Sequence, residues 1–224
     1  MRALSVLMLL FAASARADMP LQELLERLGE AEEKTLAVPS CLSVESSVTE
    51  QLDKEGKSTG RLTRSYEVLR AGTKVLSRKK LSEKEEGELV SQLKAEPRDQ
   101  NQNEDPRGQL SPFHAKVRDE YQFEQFPGPR EGWVTVKITP RKKDEKRMNG
   151  TAVVDAKTAQ LISMHLSPSK LPTLLDNFQV DFVYEDTPCE RHPTQLQFAG
   201  SGGVFVYKVR FRTQVKISGH RRLD

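Results

Sequence analysis

The stretch from Val204 to Ile217 places the strongest constraint on what this chain can fold into. Phe205, Tyr207, Val209, Phe211, Val215 and Ile217 occupy odd positions, while Lys208, Arg210, Arg212, Gln214 and Lys216 occupy even ones. Side chains alternate faces along a strand, so the spacing predicts one long strand, apolar on one side and basic on the other. From Phe205 to Ile217 it would run on the order of 40 Å. A strand of that length needs a large, curved antiparallel sheet with one apolar face to receive it.

The rest of the chain supplies such a sheet. Leu21, Leu24, Leu25 and Leu28 fall at helical spacing within Pro20–Leu36, among good helix formers, and Pro39 stops the run. Leu42, Val44 and Val48, then Leu62, Tyr66 and Val68, alternate on either side of a Lys54–Gly60 turn and read as a hairpin. Leu89, Val90 and Leu93 give the second half of 81–95 a helical look, and 97–112 is a polar loop, expected to be mobile, almost without apolar residues. From Tyr121 a meander follows: Tyr121–Phe126, Val134 to Ile138, Met148 to Val154, Ile162 to Leu166, and Phe178 to Tyr184. The tract 186–193 reads as a connection, Leu196 and Phe198 as a short strand, and Ala199–Gly203 as the turn into the final strand. About eight to ten strands with two or three helices and no helical crossover define an α+β antiparallel domain.

The first seventeen residues carry Arg2, an apolar run from Leu4 to Ala13, and Ala15 and Ala17 in a small-x-small arrangement. That order predicts a cleaved export signal over 1–17, an apolar run too short to span a bilayer, and a single mature domain over 18–224 in the periplasm. The formal charge of +3 includes Arg2 and Arg16, so the mature chain is closer to neutral, which argues against nucleic acid as a partner. Two cysteines, Cys41 and Cys189, permit one long-range disulfide in an oxidising compartment; two free buried thiols are the alternative.

Chemistry is hard to find in the pattern. The four histidines stand singly, and His165 falls on the polar face of its strand. Gly200–Gly203 lacks the lysine and the following helix of a phosphate loop, and no nucleophile elbow occurs. No catalytic residue, metal site or cofactor is expected, and the chain reads as a non-enzyme and a monomer. The basic row of the last strand reads as a solvent face rather than a phosphate-binding one. What remains is apolar area on strand faces, wider than two or three helices cover, and a hollow for an apolar ligand is the expected use. The candidate lining residues are Tyr66, Phe123, Val136, Ile138, Leu174, Phe178, Phe182, Tyr184, Phe205, Tyr207 and Phe211.

The run Gly132 to Pro140, followed by Met148 to Asp155 and the turn Ala156-Lys-Thr158, is similar to the strand, charged turn, strand and Val-Asp-x-x-Thr-Gly turn of LolA-like outer-membrane lipoprotein-sorting proteins. Ala159 stands where that pattern has glycine, and the similarity covers mainly 113–217. The resemblance implies a half-barrel whose concave apolar face, lidded by helices, shields lipoprotein acyl chains or another lipid in transit to the outer membrane. Membrane-bound donor and acceptor proteins would be its partners. The polar insertion over 73–112 and the paired cysteines depart from the family pattern. An exported structural or protein-interaction domain without lipid cargo is the alternative.

Overall fold

The computed structural model describes residues 19–72, 74–95, 110–204 and 207–223. The expected export signal and most of the polar loop lie outside the described residues. Ten strands form one open, curved, fully antiparallel sheet: β1 (Cys41–Leu52), β2 (Ser58–Ala71), β3 (Lys74–Gly87), β4 (Tyr121–Pro127), β5 (Trp133–Pro140), β6 (Met148–Asp155), β7 (Leu161–Pro168), β8 (Leu175–Thr187), β9 (Glu190–Val204) and β10 (Tyr207–Arg222). Their order is β3-β2-β1-β10-β9-β8-β7-β6-β5-β4. The last strand therefore sits inside the sheet, pairing β1 on one side and β9 on the other, and joins the N-terminal strands to the meander.

Helix α1 (Leu21–Leu36) precedes the sheet in the chain and packs onto one face of it. Glu23 in its first turn and Lys34 in its last suit the helix dipole. Leu24, Leu25 and Leu28 are buried against Val134, Val136, Ile138, Ala152 and Val154, with Met164, Leu166 and Val180 beyond them. Two further helices, α2 (Ser91–Lys94) and α3 (Ala115–Arg118), are single turns. No helix among the described residues is long and apolar enough to cross a membrane.

Three sequence expectations are corrected. Residues 74–87 form a strand that takes in the first half of 81–95, and the helix expected in its second half is a single turn over Ser91–Lys94. Cross-strand pairs such as Arg64–Glu83 at 2.8 Å and the left-handed Gly87 (φ 70°) fix that strand and end it, leaving only one helical turn after it. The tract 186–193 is a connection only at Pro188 and Cys189: β8 runs to Thr187 and β9 starts at Glu190. The glycine-rich Ala199–Gly203 is not a turn but part of β9, because neighbours lie where side chains would be. A Cβ on Gly200 would fall 2.9 Å from the Phe211 ring, and one on Gly202 would fall 2.2 Å from the Leu174 carbonyl oxygen.

On β10 the alternation holds: Val209, Phe211, Val215 and Ile217 are half-buried and Lys208, Arg210, Arg212 and Lys216 exposed. The basic row is largely occupied within the protein. Arg212 and Arg61 both donate to Glu50, at 2.6 and 2.7 Å, and those hydrogen bonds, Arg212 first, hold its carboxyl below the usual glutamate range. Lys208 pairs with Asp176 at 2.9 Å, and Arg210 donates to the Lys54 carbonyl at 2.6 Å.

Cys41 and Cys189 are joined by a disulfide, with Cα atoms 5.9 Å apart and 148 residues between them in sequence. It links the start of β1 to the β8–β9 turn, across the end of the intervening β10, and packs with Val38 just beyond α1. Closing a loop of 148 residues is worth up to about 5 kcal/mol through the unfolded state. The Cys41→Ser/Cys189→Ser protein should therefore lose about 2–5 kcal/mol in urea unfolding. An unchanged midpoint would show that the bridge contributes nothing.

Candidate ligand cavity

Beyond Leu28, α1 leaves the packed core and passes over a half-open hollow of about 940 Å³. Leu161, Met164 and Leu166 of β7 and Phe182 and Tyr184 of β8 supply its apolar floor, with Met148 at one side. Ala31, Glu32 and Thr35 of the helix form the roof, and the Leu110–Phe113 segment closes another side. Gly29 is what lets that segment approach, since a Cβ there would meet the Phe113 carbonyl oxygen at 3.1 Å. The strand pattern explains the floor: Met164 pairs with Phe182 and Leu166 with Val180, so successive even positions face the helix.

Charged groups ring the hollow. Arg191 is held by Asp186 at 2.8 Å and donates to the Leu161 and Tyr184 carbonyls at 2.7 and 3.2 Å. Arg147 pairs with Glu120. Lys34 and Lys146 also line the hollow and have no ion-pair partner among the described residues.

Two polar groups belong to the interior. Glu32 accepts the Ser111 backbone N–H at 2.9 Å and the Ser111 hydroxyl. Burial pushes its carboxyl above the usual glutamate range, against those hydrogen bonds and His114, which favour the ionised form. Tyr184 is half-buried on the wall of the hollow, and desolvation there, with the Glu32 charge nearby, pushes its phenol up.

Of the residues read from sequence as lining a hollow, Phe182 and Tyr184 meet there. Val136 and Ile138 are consumed by the core under α1, and Phe123 packs beside it, stacked on Phe113 at 5.7 Å. Phe178 and Phe211 lie on the same sheet face but outside the hollow, Phe178 against Phe198 and Phe211 over Gly200. Tyr66 is buried in β2 with the Arg78 guanidinium 5.7 Å from its ring centre, and Leu174 is exposed. Phe205 lies outside the described residues, and Tyr207 is described by its backbone alone. The sequence reading missed Met148, Leu161 and Met164 as floor and Glu32 as roof. The signal for Glu32 was its place seven residues after Leu25 and four after Leu28, on the buried stripe of α1. It also treated the histidines as isolated, whereas His192 and His220 stack with centres 6.3 Å apart. Among the described residues no three metal-ligating groups come together.

No protein-family model and no curated protein matches the sequence. Solved structures similar to this chain include a LolA superfamily protein from Nitrosomonas europaea, at 12% identity and a TM-score of 0.45, covering 91% of this chain and 93% of that one. A DUF1329 family protein from Desulfovibrio piger has 12% identity and a TM-score of 0.41, with 91% and 93% covered. An outer membrane lipoprotein-sorting protein domain from Vibrio parahaemolyticus has 11% identity and a TM-score of 0.41, with 89% and 92% covered. The first and third bear the family description that the sequence pattern resembles.

A glutamate whose folded value is raised lowers stability once pH exceeds its unfolded value, because the unfolded chain ionises more readily. Glu32→Gln should therefore be more stable than the parent protein at about pH 8, with the gap closing below about pH 4.3. Urea midpoints at both pH values test this; a gap of equal size at both would exclude Glu32 ionisation as its source.

Proposed function

We propose that this protein binds the acyl chain of a lipid in the hollow between α1 and β6–β8, without chemical conversion. The observation that carries the reading is the hollow itself. Its volume of about 940 Å³ is at the upper end for a single small-ligand site, and its floor is built from methionine, leucine and aromatic side chains on rigid strands. Each methylene moved there from water gains roughly 0.8 kcal/mol. Affinity of this kind needs no catalyst, and release needs an acceptor that competes for the chain. The finer reading is a periplasmic carrier that shields lipoprotein acyl chains, or another lipid, between a membrane-bound donor and an acceptor at the outer membrane. Its support is the hollow together with the strand-and-turn pattern over 132–158.

A fluorescent acyl probe should bind the purified protein with a blue-shifted emission. Phe182→Asp, which places a charge on the floor, should weaken binding by at least about tenfold. Ala31→Trp, which fills the hollow from an exposed helix position, should do the same while the protein remains folded. Lipid in an organic extract of natively purified protein, read by mass spectrometry, would identify the cargo. Probe fluorescence that stays at its free value at high protein concentration would overturn the proposal.

A further inference from the structure

Two polar groups inside the hollow are left incomplete by the protein. Tyr184 is half-buried on the wall of the hollow, and no hydrogen bond reaches its hydroxyl among the described residues. A phenol on the wall of a largely apolar cavity, with its O–H not used by the protein, is placed to donate to something that enters it. Glu32 is hydrogen-bonded by Ser111 but has no ion-pair partner among the described residues. The guanidiniums that line the hollow are committed elsewhere, Arg27 to Glu23, Arg147 to Glu120 and Arg191 to Asp186 and two carbonyls.

We infer that the hollow selects acyl ligands whose head is an uncharged hydrogen-bond acceptor, an ester carbonyl, over the matching free acids, with Tyr184 and Glu32 as the selecting residues. The inference rests on the acyl-binding reading above. An ester carbonyl drawn inside accepts the Tyr184 O–H and brings no charge toward Glu32. A carboxylate head meets like charge in a poorly solvated space, where repulsion is weakly screened. A bare alkyl chain leaves the phenol unsatisfied, and sites built around a buried hydroxyl discriminate against ligands that cannot pair with it. Lys34 and Lys146 act in the opposite sense. They would hold an acid with its head at the rim and only its tail inside, so the two orientations predict opposite preferences.

The test compares a dansyl-labelled undecanoic acid with its methyl ester, identical in fluorophore and chain, on the full chain and on two near-isosteric variants whose melting temperatures confirm folding. The ester should bind the parent protein about tenfold more tightly than the acid at about pH 8, as one neutral hydrogen bond gained and one like-charge contact avoided would give. Tyr184→Phe should weaken the ester about five- to tenfold and leave the acid nearly unchanged. Glu32→Gln should strengthen the acid and leave the ester nearly unchanged. Equal affinities for the two probes, a preference for the acid, or a gap that both variants leave intact would overturn the inference while keeping the acyl-binding reading. Failure of both probes to bind any of the three proteins would overturn both.

Discussion

One helix cannot cover ten strands. At 1.5 Å per residue α1 is about 24 Å long and about 10 Å across, while ten strands spaced about 4.8 Å apart make a sheet some 43 Å wide. The rest of the structure follows from that shortfall. Where the helix meets β5 and β6, its leucines and their valines exclude solvent almost completely: Leu24, Val136, Ala152 and Val154 are each 0% exposed. Past Leu28 the helix stripe changes from leucine to Ala31, Glu32 and Thr35, too small or too polar to fill the space above β7 and β8. The hollow is thus written into α1 by residues that fail to pack.

The other half of the sheet meets the same shortage differently. Over β1 and β2 the covered face carries Leu62, Tyr66 and Val68, but also the buried Ser43 and Arg64. Arg64 is 7% exposed, and its guanidinium donates to Glu83 at 2.8 Å and to the Lys94 and Ala95 carbonyls at 2.6 and 3.0 Å. A buried charge is tolerated only with such complete pairing, and here the pairing also anchors the chain that crosses this face after β3. One half of the sheet is therefore closed by polar bonds and the other left open over apolar side chains.

The alternation of β10, the hairpin of β1 and β2 and the meander from Tyr121 were legible because period two is a property of the strand itself. Glycines were not, since Gly200 and Gly202 sit in a strand for reasons that lie on other strands: the Phe211 ring and the Leu174 carbonyl. The same limit governed the site. Alternation told which face Val136, Ile138, Phe178 and Phe182 share, but the docking position of α1 decides which become core and which become floor. Val136 falls under Leu24 and its neighbours and is spent; Phe182, three strands further along, is not. Histidines 192 and 220 meet only because β9 and β10 are paired, a register no local pattern carries.

The roof is fixed at both ends, and this decides whether the hollow exists without α1 being moved. At its start α1 is held by the leucines in the core, and Arg118 donates to the Leu25 carbonyl at 3.1 Å. At its end, Val38 packs against the Cys41–Cys189 bridge, and the Leu36 carbonyl lies so close to Gly72 that a Cβ there would be 2.8 Å away. Gly72 has φ 55°, a conformation in which a larger residue would be strained in any case. Lifting the whole helix would break the largest cluster of buried apolar contacts in the protein and pull against a covalent bond. The Leu110–Phe113 side is held as well: Phe113 is buried in the same cluster as the α1 leucines, and Ser111 donates to Glu32 of the roof. With both sides held by buried groups, the cavity is a preformed space between packed elements rather than a space created by displacing α1.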